Sequence, residues 1–141
     1  MITAVLFVLQ MACDMEHRGD HAMGFSHHAT THHFRVLRDG GAIEVRANDA
    51  KDAKSVDAIR EHLRTIAKSF AEGDFAKPQF IHERMPDGAS EMKELRGLIA
   101  YRYQELPRGG RVRITTTDAR ALDAVHRFLK FQIAEHKTGD M

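Results

Sequence analysis

The chain repeats itself, and the repeat limits its topology more than any other feature. Gly40-Gly41-Ala42-Ile43-Glu44-Val45 is followed by a polar turn at Asn48-Asp49-Ala50, and Gly109-Gly110-Arg111-Val112-Arg113-Ile114 by Thr117-Asp118-Ala119. Val56-Asp57-Ala58-Ile59 then matches Leu122-Asp123-Ala124-Val125, and Leu63 matches Leu129. Each copy closes on Gly-Asp, at Gly73-Asp74 and Gly139-Asp140. One three-residue insertion before the first helix keeps the copies in register.

Each copy reads as strand, Gly-Gly hairpin, strand, helix. The hairpins pair about Thr31–Leu37 with Ala42–Ala47, and Leu98–Glu105 with Arg111–Thr116. Gly-Gly is expected to supply the positive φ of a tight turn. Strand alternation turns Phe34, Val36, Ile43, Val45, Ile99, Tyr101, Tyr103, Val112 and Ile114 inward. It turns Arg35, Glu44, Arg46, Arg102, Arg111 and Arg113 outward. Val56, Ile59, Leu63, Ile66 and Phe70 form the stripe of a helix over about Asp52–Ala71; Leu122, Val125, Leu129 and Ile133 form that of a second over about Ala119–His136. Asp52 and Asp118 read as N-caps, Gly73 and Gly139 as stops. Phe75–Gly88, with Pro78 and Pro86, reads as loop, and Ser90–Arg96 as a short helix capped by Ser90. The expected fold is α+β: two ββα repeats forming a four-stranded antiparallel sheet, with two long helices packed on one face. With 141 residues there is room for one such domain over 31–141, with the repeats at about 31–74 and 98–140.

Residues 1–13, MITAVLFVLQMAC, have the length and apolarity of an export signal or its remnant. The basic residues that usually precede such a run are missing, as they would be if Met1 stood downstream of the true start. Leu9-Gln10-Met11-Ala12-Cys13 is a loose lipobox, which makes Cys13 the candidate lipid anchor and the only membrane attachment foreseen. The expected location is the periplasm or another exported compartment, or the cytoplasm if the segment is not a signal. A single cysteine excludes an internal disulfide, a CxxC pair and a cysteine-built zinc finger.

Further motifs bear a family likeness. Met23-Gly24-Phe25 with Thr30-Thr31-His32-His33-Phe34, Phe70-Ala71-Glu72-Gly73-Asp74-Phe75, the Ile81-His82 to Pro86 stretch, and the run from Phe128 through Gln132 and His136 to Asp140 resemble a family of small exported bacterial proteins without an established activity. The likeness covers residues 18 to 140 and implies export, but no mechanism. Some similar proteins carry an aspartate carbamoyltransferase label. The chain is too short for that two-domain transferase and has no Ser-Thr-Arg-Thr-like phosphate loop.

Six of the ten histidines fall between His17 and His33. Residues 14–30 lack apolar periodicity and read as a flexible arm that carries Met15, His17, His21, Met23, His27 and His28. Imidazole and thioether ligands suit copper, with zinc as the alternative, and no organic cofactor is indicated. His32 and His33 are strand neighbours and point to opposite faces, so they cannot share one ion from regular β structure. His32 faces inward, where it could meet His62, His82 and His126 in a shared site. Otherwise each histidine is separately hydrogen-bonded, with His136 closing its helix.

The leading functional expectation is therefore an exported, non-catalytic protein whose partner is a metal ion. The alternative is an interaction module that docks a second copy through the Arg-rich sheet face. A small enzyme with a histidine-lined pocket ranks below both, and no catalytic residue can be named for it. A formal charge of +1 and inward-facing strand aromatics argue against nucleic acid as a partner.

Overall fold

The computed structural model describes residues 15–140. The export-signal and Cys13 expectations fall outside the described residues. Within them the fold is α+β. The sheet is antiparallel and four-stranded, in the order β1-β2-β4-β3, with β1 at Thr30–Leu37, β2 at Gly40–Ala47, β3 at Ala100–Leu106 and β4 at Gly109–Thr115. Helix α1 covers 15–23, α2 Ala53–Ala71, α3 Ala76–His82, α4 Ala89–Glu94 and α5 Ala119–His136, with single 3-10 turns at His27–Ala29 and Arg96–Leu98. None of these helices is long and apolar enough to cross a membrane.

Local chemistry explains both long helices. Asp52 accepts the Ser55 N–H and Asp118 the Ala121 N–H, so each start has its side-chain cap. Their apolar stripes bury Ile59, Leu63, Ile66 and Phe70 from α2, and Val125, Phe128 and Leu129 from α5, against Phe34, Val45, Val112 and Ile114 of the sheet. Each helix lies over the other hairpin. Helix α2 packs mainly on β4 and β3, and α5 on β1 and β2. The two halves therefore interlock, and each hairpin buries its apolar face mainly under the helix that follows the other one.

That crossing accounts for the glycine pairs, whose expected role needs correction. The hairpin loops are Arg38-Asp39 and Pro107-Arg108, because Leu37 pairs with Gly40 and Leu106 with Gly109. In the second loop Arg108 takes the positive φ, at 62°, whereas at the first hairpin Gly40, just past the loop, takes it, at 148°. The glycines instead open β2 and β4, where other groups come close. A Cβ on Gly109 would lie 1.9 Å from the Val45 carbonyl oxygen, and one on Gly41 would lie 2.1 Å from Leu129 Cδ1. Repeat-related Gly110 faces Leu63, the counterpart of Leu129, at 3.1 Å.

Other local expectations also change. Phe75–Gly88 is not all loop, since it contains α3. Pro78 sits in the first turn of that helix, where no intrahelical donor is required. Gly88, with φ of 80°, precedes α4, and Ser90 lies inside the helix without capping it. Helix α5 ends at Lys137 in the left-handed region, not at Gly139. The largest change concerns 14–30, which is ordered and docked rather than an irregular arm. Residues 15–23 are helical, and Met23 and Phe25 are buried in the core. The Arg18 side chain donates to the Ile81 carbonyl at 3.1 Å and pairs with Glu83 at 3.2 Å, tying α1 to α3. Too few apolar side chains supply this contact to leave a periodic stripe in the sequence.

Candidate functional site

The docked α1 positions a cluster at the edge of a cleft. Gly24, with φ of 78°, ends α1, and its N–H bonds the Asp20 carbonyl at 3.0 Å. The chain then turns back through Ser26, whose hydroxyl oxygen accepts the His28 N–H. Asn48 donates from the end of β2 to the His28 carbonyl at 3.1 Å. His27 and His28 are thereby placed against α1, their rings 3.8 Å apart between centroids.

Asp20 orients His27 twice. Its Oδ1 accepts the backbone N–H at 2.8 Å and the ring Nδ1–H at 2.9 Å. This leaves the His27 Nε2 lone pair free to point elsewhere. It lies 3.3 Å from Glu16 Oε2, buried and without a hydrogen bond. Among the described residues, Glu16, His27 and His28 form one set of three in which ligand atoms lie within 4.8 Å of one another. Nitrogen and oxygen ligands at about 2.0–2.1 Å from a tetrahedral ion are roughly 3.3–3.4 Å apart, which matches the Glu16–His27 separation. A carboxylate behind a ligating imidazole is the usual outer support of such a site.

The other proposed ligands distribute differently. Met15 lines the adjoining cleft, a volume of about 320 Å³ between α1, β1 and the end of α5, while Met23 is a core residue. His17 and His21 are exposed on α1, and His21 lies 6.3 Å from the Phe80 ring. His33 is on the outer face, where its Nδ1 is 3.0 Å from Asp140 Oδ1.

His32, His62 and His82 do line a common inner cavity of about 60 Å³, but His126 is not with them. The His126 Nε2–H donates to the Leu37 carbonyl at 2.7 Å, at the other end of β1. The fourth histidine is His136, from the last turn of α5. Its ring lies parallel to that of His32 at 6.2 Å and edge-on to that of His82 at 5.1 Å. The shared His32, His62, His82 and His126 site therefore does not form. No three of the four cavity histidines bring nitrogens within metal-sharing distance, since the described residues hold only the Glu16 set.

The cavity keeps its histidines neutral. Burial pushes His32 down to about 4, helped by the neighbouring His62, and His62 down to about 4, helped by Lys77. Burial pushes His136 down to about 3, with His32 and His82 adding to it. His82 is also lowered by burial, against the Gln132 hydrogen bond that raises it. The His82 Nε2–H donates to Gln132 Oε1 at 3.0 Å, which leaves His82 Nδ1 as an acceptor. That nitrogen, His62 Nδ1 and Gln132 Nε2 are buried and unpartnered.

Glu16, Asp20 and Gln132 were missed in the sequence, and His136 was foreseen only as a further candidate at the helix end, outside the shared set. Only Gln132 and His136 had a usable signal. Val125, Phe128, Gln132 and His136 follow one another at three- and four-residue steps along one face of α5, whereas His126 is one residue off that row.

The Arg-rich outer face is largely paired within itself. Glu44, 8% exposed, lies beneath Arg46 at 3.4 Å, Arg111 at 3.6 Å and Arg35 at 3.7 Å. Arg113 donates to Asp39 and to the Gly41 carbonyl. No protein-family model, curated protein or solved structure matches the chain.

Proposed function

We propose that the protein binds a borderline transition-metal ion through Glu16, His27 and His28, and acts as an exported metal-binding protein rather than as a catalyst. One observation carries this reading: Asp20 holds His27 by two hydrogen bonds while its other nitrogen, buried and unbonded, faces Glu16. Two imidazoles and a carboxylate are the donors that zinc and copper(II) accept. They fit copper(I) less well, because the methionine that would supply a second soft ligand, Met23, is buried in the core. The docked helix replaces the flexible wrapping expected of an arm, so the ligands are largely in place before the ion arrives. The pairing of Arg46 with Glu44 and of Arg113 with Asp39 gives the competing reading, a docking face of arginines, less support.

Calorimetric titration of the full chain with Zn(II) and Cu(II) at pH 7.5 tests the site. Glu16→Gln with His27→Gln is expected to abolish the tight binding event. Asp20→Asn is expected to weaken it by about 10–100-fold, the usual result of removing a carboxylate that orients a ligating imidazole. His17→Gln with His21→Gln should leave it unchanged. Wild-type affinity in the Glu16/His27 double variant would refute the assignment.

A further inference from the structure

One corner of the outer sheet face keeps cationic donors to spare. Thr31, His33, Arg46, Ala47, Asn48 and Arg108 line an open cleft of about 380 Å³ where β2 runs out into Asn48. None of them is a carboxylate. The acids that touch its walls are engaged elsewhere. Asp140 is held by His33 and the Phe34 N–H, and Glu44 lies beneath Arg35, Arg46 and Arg111 together. One carboxylate cannot neutralise three guanidinium groups. Arg46 stands opposite Thr31 in one ladder and Gly109 in the other, so neither neighbour adds an acid. Among the described residues its one hydrogen bond runs to Glu44 at 3.4 Å, long for a charged pair, and its other N–H groups are unused.

Arg108 carries the second cation, on a backbone that suits another residue. Its φ of 62° falls where glycine or asparagine is favoured, and it follows Pro107 in the loop at a position that usually takes one of them. Its carbonyl accepts the Ala47 N–H at 2.8 Å, a bond any residue there could make. Asp39, its counterpart in the first loop, is not in that region. The backbone therefore does not explain the guanidinium, whose Nη1 donates to the Asn48 carbonyl at 3.2 Å and is held at the cleft.

We propose that this cleft binds a small oxyanion of the phosphate class, as the free ion or a monoester, between Arg46 and Arg108. Two fixed cations match a dianion, and the paired N–H groups of a guanidinium fit phosphate oxygens. The donors come from β2 and from the loop before β4, so a tetrahedral anion, with oxygens on every side, answers them better than a planar carboxylate. The Asn48 amide has one N–H beyond that given to His28. The open volume leaves room for the organic part of a monoester. Glu16, His27 and His28 take no part, so this site stands apart from the metal reading.

The test titrates the full chain, stripped of metal on a chelating resin, with inorganic phosphate and with glycerol phosphate. Chloride is the reference at constant ionic strength and pH 7.5, and the arginine Nε–H and Asn48 amide signals are followed by NMR. Saturable shifts at Arg46, Arg108 and Asn48 are expected, and the tighter of the two probes identifies the free ion or the ester. Arg108→Gly is expected to weaken binding about tenfold or more. Its melting temperature should be unchanged or higher, because glycine adopts that φ freely. Arg46→Gln should weaken binding to a similar extent. Arg102→Gln removes the same charge from β3, outside the cleft, and should leave the affinity unchanged. An equal loss in Arg102→Gln and Arg108→Gly would reduce the effect to overall charge and overturn the proposal. So would shifts that saturate with neither probe, or phosphate affinity no greater than that for chloride.

Discussion

Between pH 7.5 and pH 5 the protein is expected to lose about 6 kcal/mol of folding stability, as much as many domains possess. His32, His62 and His136 are the cause. Their ordinary value is 6.5, and burial lowers it to about 4, 4 and 3 in the folded chain. Above 6.5 both states are neutral and the groups contribute nothing to the pH dependence. As pH falls through 6.5 the unfolded chain takes up protons that the folded chain refuses, and stability drops until the folded values are reached. At pH 5 each such histidine costs about 2 kcal/mol. Urea unfolding followed by far-UV circular dichroism at pH 7.5, 6 and 5 measures the loss, and is the convenient probe because the chain has no tryptophan. His136→Gln should remove about a third of the pH dependence, whatever it does to stability at pH 7.5. A stability that stays flat down to pH 5 would contradict the burial of these rings.

The second large effect concerns Gly109. Gly109→Ala places a methyl group 1.9 Å from the Val45 carbonyl oxygen and 2.9 Å from Arg46 Cα. Both obstacles are backbone, and β2 is held between β1 and β4, so it cannot give way. A loss of about 3 kcal/mol or more is expected, at or beyond the upper end for overpacking. Gly110→Ala meets the ends of side chains, at 2.9 Å from Tyr103 and 3.1 Å from Leu63, and should cost clearly less. Gly97→Ala meets nothing within 4 Å and should be close to neutral. Thermal melts of the three variants give the ranking, and a Gly109→Ala protein as stable as Gly97→Ala would show that β2 and β4 do not approach as described.

What the sequence disclosed follows the range of each interaction. Asp52 and Asp118 cap helices whose stripes are written within a few turns, so both helices could be placed nearly to the residue. The glycine pairs were found, but their reason was not. Gly41 is small because of Leu129, which lies far along the chain on a helix that crosses to the opposite hairpin. Proline misled at Pro78 because only its position within the helix decides whether it breaks one. Among the histidines, His32 was legible from strand parity, which sets it beside Phe34 on the helix side. The choice between His126 and His136 turned on one residue of helical phase. Residues 15–23 were opaque because α1 is held mainly by Arg18, Met23 and its neighbour Phe25, three single contacts with no period between them.

One contact links distant parts of the chain. The Phe34 backbone N–H donates to Asp140 Oδ2 at 2.9 Å, and Asp140 Oδ1 meets His33, so a residue 106 positions downstream caps one position on the exposed edge of β1. An open strand edge invites pairing with other chains. During synthesis that edge emerges early and its stopper late. Until Asp140 is available, the nascent sheet presents Phe34 to any extended segment nearby. A carboxyl-terminal cut that removes Asp140 is expected to leave that position of the edge open.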